Sequence, residues 1–298
     1  MKKILLPIML SCSALTAQAQ IFTNDKEFMI EVAGTVTAEL LRDTPAGSKL
    51  SMYVSDANFN FTPKYTLETG MVAYSNLQVE SSNGLSGLSE GYVGLDHKGF
   101  NFSAGRHSYA SSNFGISKSF ELGPDSSLGQ TSGENVIKLM YKRKNFEVGA
   151  SYDFEEALGD VSSFDVYLSG LLGDFDADLV VQIQNTNVTA ETDSVFYFGY
   201  SAYYTLEKFF VGGSFSIDST PNANMTAVEL SGALNLSRRI TVGGGYGTEI
   251  VEMGDTANIF YVNGEYLFHK EVAAFTEVGL NTTAGSNLGF VAGLTVNF

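Results

Sequence analysis

The chain ends on Leu288-Gly-Phe-Val-Ala-Gly-Leu-Thr-Val-Asn-Phe298, a stretch in which two kinds of side chain alternate. One parity is apolar throughout, and the other carries mostly glycine or a polar residue. Period-two alternation predicts a β-strand with one apolar face. Its length suits a tilted strand that crosses a bilayer, which takes about 9–11 residues. A soluble β-sandwich can end on such a strand too, so the rest of the chain must decide between the two.

The same alternation recurs along the whole chain, in the segments 30–40, 146–154, 164–168, 177–183 and 228–236. The connections between such segments are alternately short and long; short ones are expected at 62–64, 97–99, 142–144 and 173–174, and the longest at 110–134. Short turns at one end and long loops at the other are typical of outer-membrane barrels. The sequence therefore predicts an all-β fold, a transmembrane antiparallel β-barrel of about 16 strands with its apolar face toward lipid and a water-filled interior.

The first residues have the features of an export signal. Lys2 and Lys3 precede the apolar run 4–10, and Ala17-Gln-Ala19 fits the small-x-small rule for cleavage. We expect residues 1–19 to be a signal peptide and residues 20–298 to form one outer-membrane β-barrel pore. Cys12 offers a second interpretation, a lipoprotein cysteine, but the apolar run before it is short. After residue 19 no run of about 18 apolar residues exists, which excludes membrane-spanning helices.

Composition and charge exclude other classes of protein. Removing residues 1–19 takes away Lys2 and Lys3, so 15 basic and 33 acidic residues remain. Such an acidic chain is a poor partner for nucleic acid, because phosphate contacts need Lys and Arg. With 3 histidines, none in a catalytic or metal-ligand spacing, we expect no enzyme activity, no metal and no cofactor.

Two segments carry a resemblance to a known family. Glu90-Gly-Tyr-Val-Gly-Leu-Asp-His-Lys-Gly-Phe-Asn-Phe-Ser-Ala-Gly-Arg-His107 and Asn135-Val-Ile-Lys-Leu-Met-Tyr141 resemble consecutive strands of the general (trimeric) porins of Gram-negative bacterial outer membranes. The resemblance implies a homotrimer in the outer membrane and a long third external loop, here 110–134, that folds into the lumen. The family's frequent Pro-Glu-Phe-Gly-Gly-Asp signature is replaced in this loop by Phe120-Glu-Leu-Gly-Pro-Asp125.

The terminal strand also resembles the C-terminal signal that the barrel-assembly machinery recognises during insertion. Leu294, Val296 and Phe298 are the residues expected to carry that signal. The lipid bilayer of the outer membrane is the other partner that this interpretation implies.

The resemblance further implies that Arg106 and Lys138 lie on the barrel wall and face acids on the third loop. Parity agrees for Lys138 but not for Arg106, which shares its parity with apolar residues of its strand. Because a lipid-facing Arg near the midplane costs about 2–4 kcal/mol, we predict a bulge near Gly105 that turns Arg106 inward. A second interpretation places Arg106 at the rim. Glu121 and Asp125 are candidate acids of the loop, with a solvated loop face as the alternative.

Acidic side chains dominate the parity that is expected to face the lumen. They are Glu31, Glu39, Glu68, Glu147, Asp165, Asp176, Asp178, Glu229, Glu265 and Glu277. Since carboxylate rings select cations, the sequence predicts a passive, cation-preferring channel for small hydrophilic solutes and ions. Many of these acids can instead lie near the mouths. Two alternatives remain open, a substrate-specific channel for sugars or oligosaccharides and a barrel that serves mainly adhesion or structural anchoring.

Overall fold

The alternating segments form extended strands in the structure, which is a computed structural model. It describes residues 20–23, 27–82, 85–124, 129–154, 161–188, 191–219, 224–252, 254, 256–283 and 285–298. The predicted signal peptide, residues 1–19, lies outside them. The first nine strands are β1 (Gln20–Thr23), β2 (Phe28–Arg42), β3 (Ser51–Thr66), β4 (Val72–Ser82), β5 (Leu85–His97), β6 (Phe100–Ser108), β7 (Ser132–Lys142), β8 (Phe146–Asp153) and β9 (Val161–Leu172). The others are β10 (Phe175–Val188), β11 (Glu191–Leu206), β12 (Phe209–Ser219), β13 (Asn224–Asn235), β14 (Ile240–Val251), β15 (Thr256–His269), β16 (Val272–Asn281) and β17 (Leu288–Asn297).

The strands β2 to β17 form a closed antiparallel barrel in which each strand pairs with its neighbours in sequence and β17 pairs with β2. Because β17 closes on β2, both edges of the sixteen-stranded sheet β2 to β17 are paired. The short β1 pairs with β2 beyond the point where β17 ends. Between them, Gly34 and Phe298 exchange two backbone hydrogen bonds of 2.9 and 3.0 Å. The prediction of sixteen antiparallel strands is confirmed.

Apolar side chains face outward and polar side chains face the interior. On β13, Leu230 is 58% exposed while the adjacent Glu229 is 3% exposed, and on β6 Phe102 is exposed while Ser103 is buried. An aqueous solvent would penalise such an arrangement, whereas lipid tails favour an apolar outer band. The predicted outward orientation of the apolar parity is therefore confirmed.

The strand connections differ in length at the two ends of the barrel. Turns at 67–71, 98–99, 143–145 and 173–174 lie at one end, and the longest connection, 109–131, lies at the other. The predicted turn at 62–64 is wrong, because β3 continues through Pro63 to Thr66. Proline has no N–H to donate, and around Pro63 the pairing of β3 with β4 lapses while its pairing with β2 continues. In the described part of the chain, no helix is long and apolar enough to cross a membrane.

Candidate functional site

The long connection after β6 binds the inner face of the barrel, beginning at its first residues. A short 3-10 helix covers Ala110–Asn113. The Tyr109 hydroxyl donates to Asp153 Oδ2 at 2.8 Å, and the Ser111 N–H donates to Asp165 Oδ2 at 2.6 Å. Asp153 and Asp165 come from β8 and β9, so these bonds fix the start of the loop to that wall. We call residues 109–124 the inner segment.

The second half of the inner segment binds a different wall, formed by β15 and β16. Three consecutive N–H groups, those of Phe120, Glu121 and Leu122, donate to the Glu277 carboxylate at 2.8, 3.0 and 2.6 Å. Asn263 Nδ2 donates to the same carboxylate at 2.9 Å and also to the Lys118 carbonyl. A buried carboxylate is costly unless it is well hydrogen-bonded, and here the loop backbone supplies most of the donors.

Apolar contacts fix the inner segment between these polar anchors. Ile116 is buried against Phe210 and Ala233, and Leu122 is buried against Phe275 and Val291. The barrel residues in both clusters point inward. Burial of such side chains contributes about 1.5–3 kcal/mol each. The inner segment is thus attached from β8 to β16 by hydrogen bonds and by packing.

Beyond β16 the wall continues through β17 to β2, and acidic groups of this part of the wall approach the inner segment. Glu121 extends from the inner segment toward the charges of Glu39, Glu277 and Asp43. Partial burial, and after it the repulsion from these three carboxylates, raises the pKa of Glu121 to about 7. Glu121 therefore changes its charge near neutral pH.

The structure brings several of the predicted lining acids together on the inner face but gives them different partners. Asp165 and Glu277 bind the inner segment, and Asp178 accepts bonds from the hydroxyls of Tyr167 and Ser201 at 3.1 and 3.0 Å. Glu229 is buried close to the charge of Lys118. Several of the predicted acids thus hold the wall and the inner segment in place.

Other predicted acids lie toward the barrel ends. Glu31 pairs with Lys64 at 2.6 Å, and Glu147 pairs with Lys142 at 2.7 Å. Glu39 is buried on the inner face of β2, and Asp176 and Glu265 are half-buried on β10 and β15. Glu68 lies in the exposed turn 67–71 instead of on a strand. Asp125 lies outside the described residues.

The predicted inward turn of Arg106 is corrected by the structure. Arg106 pairs with Gly91 in the β5–β6 ladder, and Gly91 faces the exposed side chains of Leu77 and Leu88. Paired residues share a face, so Arg106 points outward, where its guanidinium lies 2.6 Å from the carboxylate of Glu134. The strand irregularity exists, but its extra residue lies on β7 and leaves the parity of β6 unchanged.

Two bases occupy the inner face near the root of the inner segment. The Lys138 ammonium donates to the carbonyls of Ser108 and Tyr109 at 3.1 and 3.2 Å. His107, which sequence reasoning left without a role, stacks on Tyr92 with 3.7 Å between ring centroids, and its Nδ1 lies 3.4 Å from Glu90 Oε1. Two further inward lysines, Lys64 and Lys118, were also missed; Lys118 lies 4.2 Å from the Phe210 ring centroid.

Chemistry at His107 is limited by its geometry. The Ser108 hydroxyl and the Glu90 carboxylate both approach the same ring atom, Nδ1, at 3.4 Å. A nucleophile relay needs the serine on one ring nitrogen and the acid on the other, so these three residues do not form one. Among the described residues, no group of three or more His, Cys, Asp or Glu side chains is placed to hold a metal ion.

Comparison with known proteins agrees with this geometry. The chain is 24% identical to the porin-like protein H of Photobacterium profundum over the whole of both chains. A loop-deleted OmpT, an outer membrane protein of Vibrio cholerae, superimposes with a TM-score of 0.81 at 16% identity, covering 92% of this chain and 100% of that one. OmpT has also been described in a trimer form.

A second solved porin shares the fold as well. The anion-selective porin from Comamonas acidovorans has a TM-score of 0.77 at 14% identity and covers 91% of this chain and 100% of its own. The family model described as Gram-negative porin matches residues 8–286 of this sequence. The chain therefore belongs to the Gram-negative porins, the channel-forming β-barrels of the bacterial outer membrane.

Proposed function

We propose that this porin is a passive, water-filled channel for small hydrophilic solutes and that it prefers cations. The observation that carries the proposal is the attachment of the inner segment to the wall from β8 to β16. A segment attached there narrows the lumen and leaves a passage along β2 to β6. The third loop is thus proposed to form the constriction of the channel.

The sign of the selectivity is argued from the charges along that passage. Glu90 and Glu121 are placed along it, and the buried Glu39 lies close to Glu121, whose pKa is about 7. Lys64 is paired with Glu31. Lys138 is the main opposing charge, and it is engaged by loop carbonyls. Because the Debye length is about 8 Å at physiological salt, carboxylates on both sides of a narrow passage act on a permeating ion together. The excess of carboxylates favours cations.

Reversal potentials of the purified protein in planar bilayers, under a salt gradient, test this proposal. We expect a potential of the sign that cation permeation produces, larger at low salt. An anion-selective potential at low ionic strength would contradict the charge argument, while the absence of any conductance would contradict the channel itself. The fold alone does not decide the sign, since the structurally similar Comamonas porin is anion-selective.

Assembly and export are proposed on separate grounds. We propose a homotrimer, supported by the trimer form of the Vibrio cholerae OmpT, whose fold this chain shares. Residues 1–19 are proposed to be removed as a signal peptide, and the exposed Leu294, Val296 and Phe298 to be the signal for the barrel-assembly machinery. Mass measurement in mild detergent distinguishes a trimer from a monomer, and the N-terminal sequence of the outer-membrane protein tests cleavage after Ala19.

A catalytic activity is not proposed for this chain. Its membership of the porins supports a channel. At His107, the Glu90 carboxylate and the Ser108 hydroxyl approach the same ring nitrogen, Nδ1, which argues against hydrolytic chemistry there. Of the alternative functions, a substrate-specific channel is favoured by one particular cavity.

A further inference from the structure

The passage along β2 to β6 widens into a cavity of about 800 Å³ near the end that carries the short turns. This volume lies in the range of about 300–1,000 Å³ that is typical of small-molecule sites. Amide, hydroxyl and aromatic side chains form much of its wall, namely Asn60, Thr62, Tyr74, Asn76, Tyr92 and Asn101. Five neighbouring strands contribute to the cavity, so its shape is fixed by the barrel and not by a loop.

The ring of Tyr74 is held flat against the wall of this cavity. A Cβ at Gly94 would lie 2.4 to 2.7 Å from three atoms of Tyr74, so the ring covers the position that glycine leaves open. Tyr92 contacts Tyr74 edge-on, with 6.2 Å between centroids, and the Tyr74 hydroxyl donates to Asn101 Oδ1 at 2.9 Å. Tyr74 thus lies over Gly94 with its hydroxyl fixed, and the rest of its ring lines the cavity.

Neutral polar groups surround this aromatic platform, and two acids, Glu27 and Asp96, also line the cavity. The Thr62 hydroxyl has one proton and lies 2.8 Å from Asn76 Oδ1 and 3.2 Å from Asn60 Oδ1, so it orients one of the two amides at a time. An oriented amide offers a donor and an acceptor side by side, as two adjacent hydroxyls of a ligand require. The one lysine of the lining, Lys64, is paired with Glu31 at 2.6 Å, so it attracts anions only weakly.

We propose that this cavity is a binding subsite for a neutral oligosaccharide. The apolar C–H face of a pyranose ring stacks on Tyr74, because this contact removes apolar surface of both partners from water. The hydroxyls at the rim of the sugar exchange hydrogen bonds with the amides of Asn60 and Asn101. The buried Asn76, bonded to Thr62 and Glu90, supports the wall behind them. The inference rests on the proposed channel function, and it adds a preferred class of solute to it.

The test uses maltotriose as the probe, with the purified protein in planar bilayers and, in parallel, in detergent for isothermal titration calorimetry. We expect maltotriose to interrupt the open-channel current, whereas a polyethylene glycol of matched hydrodynamic size does not. Tyr74→Leu should weaken the apparent affinity about tenfold or more, a loss of about 1.4 kcal/mol or more. Tyr74→Phe keeps the ring and should keep most of the affinity.

Tyr197→Leu is the matched control, since Tyr197 is also an inward tyrosine but lies outside the lining of this cavity. Asn101→Leu is the second variant if Tyr74→Leu fails to assemble, and it should weaken binding too. Equal interruption by both polymers, or full affinity in Tyr74→Leu, overturns the subsite. Calorimetry does not need a conducting pore. Binding without conductance would therefore refute the channel and support the subsite, whereas conductance without binding would support the channel and refute the subsite.

Discussion

The N–H of Leu122 donates to Oε1 of Glu277 at 2.6 Å, and this bond joins the inner segment to β16. The same carboxylate also accepts the N–H groups of Phe120 and Glu121. One buried side chain therefore supplies the acceptors for three successive loop donors. The position of residues 120–122 within the inner segment depends on the acceptor capacity of this group.

Glu277→Gln is expected to loosen the inner segment, because the new amide NH2 group faces N–H donors instead of accepting from them. Leaving buried donors unsatisfied costs about 1–3 kcal/mol. Hydrogen exchange at the amides of 120–122 should become faster by the corresponding factor, and single-channel currents should become noisier. Glu265→Gln, a half-buried inner glutamate on β15, is the matched control; an equal change in both variants would contradict the role given to Glu277.

Glu121 is expected to make the selectivity depend on pH. Because its pKa is raised to about 7, the side chain is neutral at pH 6 and charged at pH 8. The cation preference should therefore increase between these values. The folded state favours the protonated form, so the contribution of Glu121 to stability falls as the pH rises from about 4.5 toward 7.

Reversal potentials at pH 6, 7 and 8 measure this step, and Glu121→Gln should remove it. Glu134→Gln, which changes an exposed glutamate paired with Arg106, should leave the step in place. A pH dependence that persists in Glu121→Gln would assign the titration to another group.

Lys138 and Arg106 are expected to differ in their effect on ions. Lys138→Gln removes an inward positive charge and should increase the cation preference at low salt. Arg106→Gln changes an outward group in an exposed ion pair, which contributes about 0–1 kcal/mol, and should leave the reversal potential unchanged. A shift of similar size in both variants would indicate that Arg106 acts on the lumen, as its resemblance to the porin motif implied.

The alternation of apolar and polar residues allowed the faces of the strands to be predicted. Successive side chains of a strand point to opposite faces, so once the apolar residues are placed toward lipid, the face of every other residue follows. This prediction succeeded on β13, where Glu229 and Leu230 lie on opposite faces. The alternation pattern does not predict the roles of the inward acids. Asp165 and Glu277 bind backbone N–H groups of a loop that is distant in sequence, and no local pattern encodes such a pairing.

Arg106 shows a different limit of sequence reasoning. The cost of an Arg in lipid argued for an inward bulge, but the strand ends two residues later at Ser108. A side chain so close to the strand end can reach Glu134 and the membrane boundary, so the cost near the midplane does not apply. The position of Arg106 along the strand determines whether an outward orientation is costly, and parity carries no information on that position.

Gly34 is expected to be required for docking of the last strand. A Cβ at this position would lie 2.4 Å from the ring of Phe298 and 2.7 Å from the carbonyl of Asn58. The backbone of Asn58 is fixed in the β2–β3 ladder, so β2 would have to shift away from it, and Phe298 would have to move its ring as well. Its two backbone hydrogen bonds to Gly34 would then be strained. Gly34→Val should destabilise the barrel by about 1–3 kcal/mol, the usual cost of overpacking.

The melting temperature in detergent and the yield of folded protein in the outer membrane measure the effect. Gly264→Ala is the control, because a Cβ at Gly264 would approach the Thr241 carbonyl no closer than 3.8 Å. Phe298→Ala removes the contact with the ring but leaves the 2.7 Å approach to the Asn58 carbonyl. The double variant with Gly34→Val should therefore lose somewhat less stability than the two single changes added together, since contacting sites are not additive. Simple additivity of the two losses would show that the ring of Phe298 does not limit the residue at position 34.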